Sequence, residues 1–124
     1  MKDKLEKGYH KLIAWKKTND FVFLIYKYTD KFPRSEEFGL KGQIRRASVS
    51  VLLNIVEGYR RSSRKEFLRF LDIAQASLTE VEAILEIAFG LRYLTNEEAE
   101  FLEEKRTELG YILNGLVKSL KNKL

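Results

Sequence analysis

Gln43, Arg46, Ser50, Asn54 and Glu57 recur at spacings of three and four through an otherwise apolar run, QIRRASVSVLLNIVEGYRRSSRKEF, residues 43–67. At about 100° per residue these five side chains fall within an arc of roughly 80° on a helix. Ile44, Ala47, Val49, Val51, Leu52, Leu53, Ile55 and Val56 take most of the other directions. That pattern describes a helix buried nearly all round, with one polar strip. Three uses of the strip compete. It is a structural network in which Arg46, Asn54 and Glu57 meet Ser77 and Glu80 of a later helix; partly buried charges need partners, so such a network fixes register more than it stabilises. Or it is the solvent edge of the helix. Or it is a reaction centre.

The residue types weigh against chemistry. His10 is the single histidine and there is no cysteine. Di-iron bundles use Glu-x-x-His pairs on facing helices, and the chain has none. A haem would find no axial ligand other than His10 or Met1. The usual nucleophile–base pairs are missing too. Glu57 and Glu80 could hold a hard cation, but two carboxylates are a weak basis for one. The expectation is no catalytic activity, no metal and no cofactor.

A second constellation follows directly. YRRSSRKEFLRF, residues 59–70, sets Arg60, Arg61, Arg64, Lys65 and Arg69 against one acid, Glu66. Tyr59 stands beside them as a surface on which a base could stack. Ser62 and Ser63 sit where the next helix begins, and its free amides and dipole favour an anion. Guanidinium planes add bidentate phosphate geometry. A charged corner of this kind is also common in soluble bundles.

One proline and few turn clusters leave long periodic segments, the mark of an all-α chain. The spacing predicts a first helix from about Ile13 to Lys31, ended by Pro33, which disfavours helical geometry at Phe32. A second is expected over Glu36–Tyr59, capped by Ser35 with Glu36 and Glu37 in its first turn. SRKE and TNEE fit capping boxes at Ser63/Glu66 and Thr95/Glu98. They open a third helix over Arg64–Arg92 and a fourth over Asn96–Lys121. Short links between four helices imply an up-down antiparallel four-helix bundle over residues 12–124, preceded by a flexible segment over residues 1–11.

The apolar faces are broader than one bundle core requires. Helix four carries a single stripe, Leu102, Leu109, Leu113, Leu116 and Leu120. Helix three has the line Phe67, Leu71, Ala74, Leu78, Val81, Leu85 and Ala88, and a second line of Phe70, Ile73, Ile84, Ile87 and Leu91. Helix one adds Val22, Phe23 and Tyr26 to Phe21, Ile25, Tyr28 and Phe32. Large exposed apolar patches mark interaction surfaces, so self-association is expected.

The composition agrees with a globular chain: 124 residues, 44% hydrophobic and 33% charged, enough for one core. Its longest apolar runs fall short of the 18 or so residues a spanning helix needs. No apolar signal core opens the chain, and a cytoplasmic location without membrane attachment is the expectation. The net charge of +5 is unevenly spread. Residues 1–70 carry 17 Lys and Arg against 8 Asp and Glu, whereas residues 71–124 carry 6 against 10. A chain polarised in this way attracts polyanions on one side, or copies of itself.

The order FP-x-x-E, GL-x-x-Q-x-RRA-x-S, NI-x-EG-x-x-R and IA-x-x-S-x-x-E matches Phe32-Pro33, Glu37, Gly39-Leu40, Gln43, Arg45-Arg46-Ala47, Ser50, Asn54-Ile55, Glu57-Gly58, Arg61, Ile73-Ala74, Ser77 and Glu80. In this the chain resembles the four-helix-bundle proteins encoded in intervening sequences of bacterial large-subunit ribosomal RNA genes. That family is similar to the accessory variability determinant proteins of diversity-generating retroelements. The resemblance covers nearly everything after about Leu12. It implies a bundle assembled as a homo-oligomeric ring, a pentamer, with a basic surface suited to nucleic acid and no established catalysis. Its retroelement relatives imply RNA and a reverse transcriptase as partners. The candidate nucleic-acid-binding residues are then Arg45, Tyr59, Arg60, Arg61, Arg64, Lys65 and Arg69. The candidate structural network is Gln43, Arg46, Ser50, Asn54, Glu57, Ser77 and Glu80. Binding of structured RNA by a noncatalytic oligomer is the leading expectation; a protein-interaction scaffold is the alternative.

Overall fold

The computed structural model describes residues 7–123, which form four α-helices, two short 3-10 turns and no strand. Helix α1 spans Ile13–Thr29, α2 Leu40–Tyr59, α3 Arg64–Gly90 and α4 Asn96–Lys121. Each helix packs on its neighbour in sequence and α4 closes back onto α1, the arrangement of an antiparallel four-helix bundle. The α2–α3 interface is the most extensive of the four.

The core follows the expected apolar lines. Phe21, Ile25 and Phe32 from the first segment meet Ile44, Val51 and Ile55 of α2. Leu71, Ala74, Leu78, Val81, Leu85 and Ala88 of α3 are buried, as are Leu102, Leu109 and Leu113 of α4. Gly58 lets α2 and α3 converge near their shared link. A Cβ there would lie 2.7 Å from Phe67 Cδ1 and 3.0 Å from Phe70 Cβ.

Helix α1 stops at Thr29 rather than Lys31, and helix ends depart from expectation in three further places. Helix α2 begins at Leu40 rather than Glu36, because Arg34–Glu36 is a separate 3-10 turn and Gly39 stands outside the helix as its N-cap. Ser35 caps nothing; Glu36 Oε1 instead accepts from the Leu40 amide at 3.0 Å. The other Glu36 oxygen accepts from the Tyr93 hydroxyl at 3.0 Å, which holds that phenol above its usual pKa and ties the α3–α4 link to the start of α2. Helix α3 stops at Gly90, not Arg92. Arg92 takes φ 66°, and amides of Tyr93 and Arg92 bond the carbonyls of Ala88 and Phe89, a Schellman closure with arginine in the left-handed position. Finally, Ser63 caps α3 through the Glu66 amide, but Glu66 turns to Arg69 instead of reaching back. At Thr95 the reciprocal box with Glu98 is complete.

Of the N-terminal segment, residues 1–6 lie outside the described residues. Gly8–Lys11 forms a 3-10 turn whose Tyr9 and His10 rings pack on Trp15, with centroids 5.8 and 4.3 Å away. None of the described helices is long and apolar enough to cross a membrane.

The surplus of apolar surface is real. Phe23, Tyr26, Leu53, Ile73, Ile87 and Leu91 are exposed on the outer faces of α1, α2 and α3 and the turn after α3, with Phe23 at 65% and Leu53 at 59%. Ile84, from the second line of α3, is buried after all. Phe38, in the turn before α2, is 94% exposed.

Candidate nucleic-acid interface

Helices that alternate in direction place the start of α1, the end of α2, the start of α3 and the end of α4 together. Arg60, Arg61, Arg64 and Lys65 therefore share one end of the bundle with Lys7 and Lys11 before α1 and with Lys118, Lys121 and Lys123 at the close of α4. Two contacts tie these pieces directly. Arg64 Nη1 donates to the Lys123 carbonyl at 3.3 Å, and the rings of Tyr9 and Tyr59 lie 6.5 Å apart. A shallow open concavity at this end is lined by Arg61, Ser62, Ser63, Arg64, Lys65, Phe67 and Lys123. The C-terminal lysines escaped the sequence reading because their half of the chain is acidic overall. The signal was available: an antiparallel α4 must bring its basic last turn back to the α2–α3 corner.

Not every cation there is free. Arg61 pairs with Glu57 one turn back, and Arg69 reaches Glu66 with Nε and Nη2, each at 3.3 Å. Their guanidinium carbons also flank Phe70, at 4.9 and 4.6 Å from its centroid. Arg60 and Lys65 form no ion pair among the described residues, and Arg64 touches only a carbonyl. Exposed and without a carboxylate partner among the described residues, these three present the charge of this end.

Arg45 lies elsewhere. Its Nε donates to Thr29 Oγ1 and its Nη2 to the Tyr26 carbonyl, both at 3.0 Å, while the guanidinium stacks 4.4 Å from the Tyr26 centroid. Those contacts clamp α1 to α2, well away from the basic end.

The polar strip of α2 divides. Ser50 Oγ and Ser77 Oγ are 2.9 Å apart across the α2–α3 seam, and Asn54 Nδ2 donates to the Ser50 carbonyl at 2.8 Å and to its hydroxyl at 3.2 Å. Ser50, Asn54 and Ser77 are half-buried. Gln43, Arg46, Glu57 and Glu80 are exposed, and neither Arg46 nor Glu80 enters an ion pair among the described residues. One part is a register-fixing network and the other a solvent edge.

No group of three His, Cys, Asp or Glu side chains converges among the described residues as a cation would require. The carboxylates concentrate at the opposite end, where α3 closes and α4 begins. A concavity there is lined by Lys31, Phe89, Arg92, Thr95 and Asn96, with no nucleophile–base pair among them. Glu98 at that end is held below the ordinary glutamate range, chiefly by its hydrogen bond from Lys31 and then by the Thr95 amide.

Comparison with known proteins agrees with this architecture. No match was found among curated proteins. A crystallised Bacteroides thetaiotaomicron protein described as of unknown function, from the S23 ribosomal protein family, is 28% identical; the match covers 86% of this chain and 96% of that one, with a TM-score of 0.78. The family described as 23S rRNA-intervening sequence protein matches residues 10–115. With that match over most of its length, the chain belongs to the 23S rRNA-intervening sequence protein family.

Proposed function

We propose that this protein is a noncatalytic, homo-oligomeric bundle that binds structured RNA through its basic end. The observation that carries the reading is the gathering of Arg60, Arg64 and Lys65 with the C-terminal lysines at one end, where Glu57 and Glu66 are already paired with Arg61 and Arg69. Each phosphate neutralised by such a group releases counterions, so affinity accumulates with the number of contacts. A family encoded within ribosomal RNA genes supports RNA as the polyanion.

Oligomerisation multiplies that surface. Phe23 on α1, Leu53 on α2 and Ile73 and Ile87 on α3 leave apolar surface exposed for contacts between copies, which the ring reading takes as head-to-tail. Contacts of that kind close into rings when the rotation permits. The resemblance to the intervening-sequence family, read as similar to accessory variability determinant proteins, supports a ring of five. In such a ring the basic ends of the copies form one continuous rim.

Replacing Arg60 and Arg64 by glutamate tests the reading by titration with a structured ribosomal RNA fragment. Expected is a loss of affinity of roughly 100-fold, given the salt-sensitive contribution of several phosphates. Arg45→Ala should leave affinity close to wild type. Unchanged affinity in the double variant would overturn the proposal. Capture of a reverse transcriptase that survives nuclease treatment and the same charge reversals would favour a protein scaffold instead.

A further inference from the structure

The basic end carries an aromatic cluster that electrostatic attachment to phosphates does not need. Tyr59 closes α2, 40% exposed, with its ring edge-to-face on Phe67 at 6.3 Å. On its other side the 3-10 turn brings Tyr9 to 6.5 Å, again near edge-to-face. That approach requires the smallest residue at position 8, where a Cβ would meet the Tyr59 hydroxyl at 2.8 Å. His10 and Trp15 extend the cluster below Tyr9. The guanidinium of Arg60 lies 5.7 Å from the Tyr9 centroid, looser than the 4.4 Å stack of Arg45 on Tyr26, and no carboxylate among the described residues holds it. A base could take that place over Tyr9 while Arg60 turned to the adjoining phosphate.

We infer that Tyr9 and Tyr59, with Arg60, form a stacking platform for unpaired bases, so that the RNA element taken by this end is single-stranded: a loop, bulge or free end. The inference rests on the RNA reading above and narrows it. Bases in a duplex have both faces covered by their neighbours, and A-form helices are held through phosphates and 2′-hydroxyls in a shallow groove. Interleaved aromatics and cations are the means by which proteins hold splayed nucleotides. A half-exposed Tyr59 and a partly buried Tyr9 beside guanidinium and ammonium groups that pair with no carboxylate among the described residues therefore select unpaired nucleotides over a blunt duplex.

Trp15 is the one tryptophan in the chain and packs against Tyr9 and His10, so its emission reports on the platform. The experiment titrates the full chain with oligouridine and with a blunt-ended two-strand RNA duplex of equal phosphate number, following Trp15 emission and RNA anisotropy. Oligouridine should bind roughly tenfold or more tightly than the duplex, the scale of one stacked base, and it alone should change Trp15 emission. Tyr9→Leu with Tyr59→Leu keeps apolar bodies in place and removes the π-faces; it should erase that preference by weakening oligouridine to the level of the duplex. Tyr59→Phe should retain it. Equal binding of the two RNAs, or an undiminished preference in the double leucine variant, overturns the platform while charge-based RNA binding stands. Binding of neither RNA overturns both.

Discussion

Gly58 shows how one missing side chain sets the geometry of the basic end. With Phe67 and Phe70 closed over it, an added methyl has nowhere to go. We predict that Gly58→Ala costs about 1–3 kcal/mol through overpacking. Gly115→Ala on α4, where nothing lies within 4 Å, should instead stabilise by about 0.5–1 kcal/mol. Urea unfolding of the two variants checks both signs. Residue roles were unevenly legible in the sequence. Periodicity put Ser50 and Asn54 on one face of α2 with Arg46 and Glu57, but only the packing of α3 separates the pair that meets Ser77 from the exposed charges. Arg45 could not be separated from the other arginines, since its partners Thr29 and Tyr26 lie on a helix 16 and 19 residues earlier. Only the docking angle of α1 distinguishes a clamp from a free cation.

Helix interiors were readable from period, and the starts of α3 and α4 announced themselves through the caps Ser63 and Thr95. The close of α3 did not, because the glycine expected in a left-handed closure is displaced: Gly90 is still helical and Arg92 occupies the left-handed position. Arg92→Gly should therefore stabilise by about 1 kcal/mol, measured as a rise in urea midpoint with unchanged slope. The start of α4 adds a pH dependence. Glu98 is held below the ordinary glutamate range by Lys31 and the Thr95 amide, so its folded pKa lies under its unfolded one. Its stabilising contribution is present above the unfolded value and fades as pH falls through the folded one. Glu98→Gln should be less stable than wild type at neutral pH, and the gap should narrow on acidification below the glutamate range. A gap independent of pH would contradict that assignment.

For the whole molecule, charge and greasy surface are arranged by topology rather than by position in the chain. The halves of the sequence differ in charge, yet the folded polarity runs from one bundle end to the other. It recruits Lys118, Lys121 and Lys123 from the acidic half. Bundle and surplus apolar faces were both visible in the periodicity; which surplus residues stay exposed was not, as Ile84 is buried while Ile73 and Ile87 on the same line are not. Phe23 and Leu53 are exposed in the protomer, so Phe23→Glu with Leu53→Glu should leave helicity intact. The same pair should shift the mass in light scattering from oligomer toward a single 14.6 kDa chain. A wild-type protein that is monomeric at high concentration would remove the rim from the account.

RNA affinity measured across a range of salt concentrations tests the claim that the basic end is an RNA surface most directly. A steep linear fall of log affinity with log salt is predicted, with a slope of several phosphates that becomes shallower in the Arg60→Glu, Arg64→Glu variant. An affinity indifferent to salt, or a slope the variant leaves untouched, would contradict it.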